Sequence, residues 1–235
     1  MFFSPGYLLI MVVTIALGAL TQWYIRSTFN KWSNVRDERG YTGAQVAEML
    51  LSRNGIAAAP GQKTGEGAVA VKPVAGHLTD HYDPRTGIVA LSEPVYGKDS
   101  IAAVAVAAHE TGHAIQDAEN YSWGEIRTAI VPIVNFGSSL SGILIIFGLL
   151  VGISGLLWLG ILGYGLAVLF QVVTLPVELN ASKRALVQLN DAGILNAQEI
   201  PAARQVLTSA ALTYVAAALI SVLNLLYYIG LARDN

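Results

Sequence analysis

Two histidines and a glutamate stand close together in the segment Ala108-His109-Glu110-Thr111-Gly112-His113. Residues four apart share one face of a helix, so both imidazoles can bind a single metal ion. The chain contains no cysteine, so a zinc site here must use histidine and carboxylate ligands. Glu110 is placed to accept a proton from a water molecule at the metal and to pass it to a leaving amine. The motif predicts one Zn²⁺ per chain on His109 and His113, with Glu110 as the catalytic residue.

The alternative is a chance match on a helix surface. The motif contains two of the four histidines of the chain, and the residues around it are almost uncharged. Such a helix should be largely buried, where His and Glu without a purpose are costly. The composition around the motif therefore favours a metal site.

A catalytic zinc ion normally has three protein ligands, and the best candidate for the third is Glu178. It is the first ionisable residue after a long apolar segment, residues 129–177. Ala181 and Ala185 follow at i+3 and i+7 on the same helical face, where small residues would let this helix approach the His-Glu-x-x-His helix closely. The alternative is a carboxylate that only marks the membrane boundary.

Five further polar residues are candidates for oxyanion or substrate contacts. His77 and His81 lie four apart, but the glycine and proline around them indicate a loop or strand. We interpret them as structural or substrate-side groups in preference to a second metal pair. Asn180, Lys183 or Arg184 could stabilise an oxyanion, although Lys183 and Arg184 could equally be ordinary interfacial charges.

The polar region around the motif contains two predicted helices. Thr42 begins an amphipathic helix that ends near Gly55, and the small residues of 57–66 indicate a loop. The Ala/Val-rich segment Ile101–Ala118 predicts the helix that carries the motif, with Ser100 or Asp99 as its N-cap.

Two segments of the same region alternate like β-strands, residues 69–74 and Ile88–Ser92. The second could be the edge strand that binds an extended peptide by backbone hydrogen bonds, or it could be an ordinary strand of the sheet. Helices and strands together predict a small α+β domain.

The composition indicates a membrane protein, because 54% of the 235 residues are hydrophobic and only 13% are charged, against about a quarter in soluble domains. Long apolar runs cover residues 7–25, 129–177 and 206–231. The middle run is too long for one span, and Gly-Ile-Ser-Gly at 152–155 divides it into a hairpin. The first run shows neither a clear basic start nor a clear cleavage site of a signal peptide, so we interpret it as an uncleaved transmembrane helix. We therefore expect a mainly α membrane protein with four transmembrane helices.

The distribution of basic residues predicts the orientation. Ten of the 14 Lys and Arg lie in residues 26–127 and three in residues 178–204, while only Arg233 lies on the far side. The positive-inside rule then places both polar segments in the cytoplasm. The expected order is transmembrane helix 1 (1–25), a cytosolic zinc-protease domain (26–127), a transmembrane hairpin (128–177), a helical segment with the third ligand (178–205), and transmembrane helix 4 with the C-terminus (206–235).

The motifs also carry a family resemblance. His109-Glu-Thr-Gly-His-Ala-Ile-Gln, with Gly76-His-Leu-Thr-Asp-His-Tyr-Asp-Pro-Arg before it and Glu178-Leu-Asn-Ala after it, resembles the YugP-type neutral zinc metallopeptidases of bacterial membranes. More distantly, the chain is similar to the HtpX-type and CAAX-prenyl-protease-type membrane gluzincins. Those families read Glu-x-x-Ala-Asp where this chain has Ser182 in place of the Asp. The resemblance implies a gluzincin fold with zinc on two histidines and one glutamate, in a bacterial cell membrane.

These observations predict a membrane-embedded zinc metalloendopeptidase that hydrolyses peptide bonds of membrane or membrane-proximal proteins. The expected partners are the lipid bilayer and a protein or peptide substrate, with other membrane proteins or a second copy of the chain as further candidates. A net charge of −2 gives no indication of nucleic-acid binding. The nearest alternative is an inactive zinc-containing adaptor or chaperone. A transporter subunit ranks last, because the spans lack the charges of an ion path.

Overall fold

The computed structural model describes residues 5–58 and 68–233. Most of the predicted loop at 57–66 therefore lies outside the described residues. Four long helices dominate the chain: α1 (Pro5–Ser33), α5 (Ser122–Val151), α6 (Ser154–Asp191) and α7 (Ile200–Arg233). Between α1 and α5 the described residues form three shorter helices and four strands: α2 (Gly43–Arg53), β1 (Ala57–Ala58), β2 (Ala68–Val74), β3 (His81–Asp83), β4 (Ile88–Ser92), α3 (Glu93–Tyr96) and α4 (Ile101–Ala118).

The four long helices are each long and apolar enough to cross a membrane. This confirms the prediction of a mainly α membrane protein with four transmembrane helices and a small α+β domain. Helix α5 ends at Val151 and α6 begins at Ser154. Gly152 between them has φ +73, a left-handed conformation that glycine adopts without steric cost. The predicted division of the middle apolar run at 152–155 is therefore confirmed.

The chain divides into two compact units, and the first contains residues 1–22, 125–176 and 212–235. Within it, α5 and α6 approach closely at glycines. A Cβ atom on Gly163 would lie 2.5 Å from the carbonyl oxygen of Gly137, and one on Gly160 would lie 2.7 Å from the backbone nitrogen of Ile145. Small residues allow such backbone contact, which replaces the hydrophobic driving force that lipid cannot provide.

The second unit contains residues 23–124 and 177–211, and its sheet has the strand order β1-β2-β4-β3. Strand β4 pairs in parallel with β2 and antiparallel with β3. Of the two alternatives for Ile88–Ser92, the edge strand is therefore wrong and the ordinary strand of the sheet is confirmed. The chain folds β3 back onto β4 through a tight turn, in which Gly87 donates to the carbonyl of Asp83 at 2.9 Å. Among the described strands, β3 is the edge on that side.

Helix α4 has the predicted bounds, and its N-cap is Ser100, whose hydroxyl accepts a hydrogen bond from the backbone of Ala103 at 3.2 Å. Asp99, the other candidate cap, forms an ion pair with Arg36. Nearly all of α4 is buried. Its small alanines let it pack at the centre of the hydrophobic core of this unit, together with α2, the sheet and the end of α6.

Helix α2 also matches its prediction. Thr42 and Gln45 form a capping box, in which each side chain bonds the backbone of the other residue. This arrangement satisfies two backbone donors that the first turn of a helix otherwise leaves unpaired.

Candidate metal centre

Helix α4 brings His109 and His113 onto one face, with ring centroids 4.8 Å apart. Glu178 on α6 faces both rings. Its Oε2 atom lies 3.3 Å from Nε2 of His109 and 3.4 Å from Nε2 of His113. Among the described residues, these three form the one cluster of His, Cys, Asp or Glu groups whose ligand atoms could hold a metal ion. The structure thus brings together the three residues that the sequence proposes as ligands.

The spacing of these atoms fits a tetrahedral zinc ion. Ligand atoms at about 2.0–2.2 Å from a tetrahedral metal stand roughly 3.4 Å from one another, close to both carboxylate–imidazole distances. Two imidazoles and one carboxylate are also a donor set that catalytic zinc uses, with a fourth position left for water. The residues present therefore fit the ion.

The charges of the cluster favour a cation. Glu178 is 2% exposed and His109 is 8% exposed, so the carboxylate acts in a medium that screens it weakly. Burial by itself lowers the pKa of His113, but the hydrogen bond and charge of Glu178 outweigh burial and leave this pKa above its ordinary value. The negative charge of Glu178, which favours a proton on the imidazole of His113, would also favour a metal ion bound between the two groups.

Each histidine also has a partner at its other ring nitrogen. The Ser182 hydroxyl lies 3.2 Å from Nδ1 of His109, and Oε1 of Gln116 lies 3.0 Å from Nδ1 of His113. Such partners orient metal-binding imidazoles and fix their tautomers. Ser182 and Gln116 therefore each contact one of the two histidines.

Glu110, next to His109 on α4, is only 8% exposed. Burial raises its pKa, and the nearby histidines oppose that shift while Glu178 and Asp80 add to it. A carboxyl group whose pKa is raised toward the working pH can both accept and donate a proton. Its environment is therefore suited to general acid–base chemistry.

Helices α4 and α6 approach each other closely beside the ligands. A Cβ atom on Gly112 would lie 2.9 Å from the carbonyl oxygen of Ala181. Ala181 itself is fully buried. This contact confirms that Ala181 faces the His-Glu-x-x-His helix.

The other two predicted histidines, His77 and His81, do not belong to the ligand cluster that the described residues form. The ring of His77 meets that of Phe29 edge to face, with centroids 5.5 Å apart. His81 begins β3, and its Nδ1 lies 2.8 Å from the carbonyl of Thr79. The loop between the two histidines is held by Asp80, which accepts hydrogen bonds from the backbone and hydroxyl of Ser92 at 2.7 and 2.8 Å.

The three oxyanion candidates on α6 have different surroundings. Oδ1 of Asn180 accepts hydrogen bonds from Gln116 at 2.9 Å and from Arg184 at 2.7 Å. Arg184 also pairs with Glu119 at 2.7 Å. Lys183 is exposed.

Sequence reasoning missed Gln116 and Asp80 as parts of this region. Gln116 lies three residues after His113, a spacing that places both on one helical face, and this was the available signal. The position of Asp80 depends on Ser92, a partner on another strand.

The comparisons with known proteins identify the family of the chain. The family model described as "Putative neutral zinc metallopeptidase" matches residues 7–233, so the chain belongs to that family. The chain is 42% identical over 223 residues to a protein of Bacillus subtilis (strain 168) described as "Putative membrane protease YugP", and the match covers 95% of both chains. No solved structure matched the chain.

Proposed function

We propose that the chain is a membrane-embedded zinc metalloendopeptidase that cleaves peptide bonds in membrane or membrane-proximal proteins. The observation that carries the proposal is the convergence of His109, His113 and Glu178 around one point, with Glu110 buried beside them. Membership of a zinc metallopeptidase family supports the same conclusion. In this proposal one zinc ion per chain is held by the two Nε2 atoms and the Glu178 carboxylate.

The reaction follows from the groups around that point. A bound zinc ion would supply Lewis-acid polarisation of the peptide carbonyl and make a water molecule more acidic. Glu110 takes the proton of the attacking water on its carboxylate and delivers it to the leaving nitrogen. Ser182 and Gln116 keep the imidazoles oriented while the proton moves.

The substrate is proposed to pair with strand β3, whose outer side carries no other described strand. An extended peptide can add to such an edge through backbone hydrogen bonds. His81 begins this strand and Asp83 ends it, so His81 is a candidate substrate contact. This assignment moves the proposed peptide-binding edge from β4 to β3.

The membrane character of the substrate follows from the position of Glu178. It lies in α6 directly after the apolar part of that helix, so the third ligand belongs to the same helix that spans the bilayer. A protease built this way is suited to peptide bonds near the membrane surface. The distribution of Lys and Arg supports a position on the cytoplasmic side, and the similarity to a Bacillus subtilis protein supports a bacterial cell membrane.

Two substitutions separate the roles of the carboxylates. Glu110→Gln should retain zinc and lose about 10²- to 10⁴-fold in hydrolysis, because the ligands remain while the proton acceptor is gone. Glu178→Ala should lose zinc and hydrolysis together, because two histidines alone bind zinc weakly. The measurements are zinc content of the purified protein and cleavage of a quenched fluorescent peptide library in detergent.

Glu125→Gln is the matched control, since Glu125 is exposed at the start of α5 and should leave both quantities unchanged. Near-normal turnover in Glu110→Gln would refute its role as the base. A wild-type protein that holds zinc, binds proteins and cleaves none would favour the adaptor alternative.

A further inference from the structure

Gln116 makes three hydrogen bonds beside the metal centre, and two of them join α4 to α6. The side chain is 3% exposed. Its Oε1 lies 3.0 Å from Nδ1 of His113, and its Nε2 lies 2.9 Å from the carbonyl oxygen of Val177 and 2.9 Å from Oδ1 of Asn180. A single side chain thus contacts one histidine and both flanks of Glu178.

These contacts determine which way the amide points. A backbone carbonyl only accepts hydrogen bonds, so the group that faces Val177 must be the NH₂ of Gln116. The amide oxygen then faces Nδ1 of His113, which must carry the proton and donate it. The lone pair of this imidazole is left on Nε2, the atom that faces Glu178.

The same amide holds the turn of α6 that presents the carboxylate. Val177 immediately precedes Glu178, and Asn180 follows it by two residues. Fixing both points limits the movement of the carboxylate relative to α4. A ligand held in place before the metal arrives loses less conformational entropy on binding.

A second pair of contacts closes this connection. Nε of Arg184 donates to Oδ1 of Asn180 at 2.7 Å, and its Nη1 pairs with Glu119 at 2.7 Å. Glu119 is the C-cap of α4. Polar contacts therefore run from Gln116 on α4 to Asn180 on α6, from Asn180 to Arg184 on the same helix, and from Arg184 to Glu119 at the end of α4.

We propose that Gln116 is a positioning residue for the metal centre, which sets the tautomer of His113 and holds the Glu178 turn against α4. Asn180 and Arg184 are then the outer part of the same support and have no need of an oxyanion role. This inference rests on the proposed zinc site and assigns a function to a residue outside its ligands.

The test compares Gln116→Met with Gln188→Met in the purified full-length protein. Both glutamines donate at least one hydrogen bond to a residue outside their own helix. Nε2 of Gln188 donates to Oδ1 of Asn54 at 2.9 Å, and this contact is not part of the metal site. Met keeps the length of the side chain without its polar groups. The measurements are the Zn²⁺ dissociation constant by competition with a chelator, the visible spectrum after Co²⁺ substitution, and the melting temperature of the metal-free protein.

We expect Gln116→Met to bind Zn²⁺ about 10- to 100-fold more weakly and to change the Co²⁺ spectrum. Gln188→Met should change neither, even if both variants lower the melting temperature alike. A purely structural role for Gln116 would lower the melting temperature and leave the spectrum of the Co²⁺-loaded protein as in the wild type. That result would overturn the inference.

If Gln116→Met fails to fold, Asn180→Ala tests the positioning role of Gln116 instead. It removes one acceptor of the Gln116 amide and should weaken Zn²⁺ binding in the same direction, by a smaller factor. Unchanged affinity and spectrum in Asn180→Ala would contradict the inference while leaving the zinc site intact. A wild-type protein without tight Zn²⁺ binding would instead contradict the proposed function itself.

Discussion

At the scale of single residues, the groups that support the two histidines are uncharged. A zinc ion with Glu178 and Glu110 ionised would be formally neutral, and Ser182 and Gln116 add no charge. In a buried site each uncompensated charge is costly. Ser182 therefore contacts His109 without adding a negative charge beside Glu110, whose pKa burial already raises.

Ser182 gives the first prediction. Ser182→Ala removes the hydroxyl that faces Nδ1 of His109, so the imidazole loses its orienting partner. We expect Zn²⁺ affinity to fall by about tenfold or more, with hydrolysis falling in parallel at limiting zinc. The same exchange at exposed Ser52 is the control, and chelator competition measures both. Equal affinities in the two variants would show that His109 needs no such support.

At the scale of secondary structure elements, the metal centre depends on how closely α4 and α6 approach. Gly112 lies between the two histidines, and the carbonyl of Ala181 occupies the space where its Cβ would be. A side chain at 112 must push the Glu178 turn away from the histidines. The distance between the helices therefore sets the geometry of the ligands.

Gly112→Ala gives the second prediction. The added methyl would lie 2.9 Å from the Ala181 oxygen, so the helices must separate, at a cost of about 1–3 kcal/mol in unfolding free energy. We expect weaker zinc binding and lower hydrolysis. Gly124→Ala is the control, because its Cβ would meet only the Tyr121 ring, at 4.0 Å. If zinc affinity and melting temperature are the same in both variants, the close approach is not required.

Elements with local signals were predictable from the sequence. The bounds of α4 follow from Ser100, whose cap bond spans three residues, and the hairpin break follows from Gly152. The position of β4 inside the sheet was not predictable, because it depends on a three-residue partner, β3, and on parallel pairing with β2. Pairing between strands is non-local and leaves little trace in either strand alone.

The candidate ligands were also predictable, because each is marked by the sequence around it. His109 and His113 share one helical turn, and Glu178 stands out because no charged residue precedes it for about 49 residues. The spacing of Gln116 from His113 indicated a shared helical face, but its contacts with α6 were not predictable, since Val177 and Asn180 are 61 and 64 residues away in sequence. Amide side chains are common, and only the fold shows which of them reach a ligand.

At the scale of the whole molecule, the order of the apolar helices predicts that the two polar segments lie on one side of the membrane. Helices α5 and α6 form a hairpin, so we expect the chain to return after α6 to the side that it left through α5. His109, His113 and Glu178 can meet only if their segments share that side. The clustering of the three side chains therefore agrees with an even number of spans between His113 and Glu178.

The Lys and Arg residues next to the apolar runs determine on which side of the membrane the polar segments should lie, and they give the last prediction. Arg26, Lys31, Arg36 and Arg39 follow the first apolar run closely, and only Arg233 lies after the last one. Moving that cluster across the membrane is disfavoured, so the polar segments should lie in the cytoplasm. Reporter fusions at Lys98 and Asp191 should be active inside, and a fusion at the C-terminus outside.

Export of the Lys98 reporter together with the Asp191 reporter would reverse the orientation but keep the shared side. Export of only one of these two would separate Glu178 from the histidines and exclude the metal centre itself, because no ion can be bound by residues on opposite sides of a bilayer.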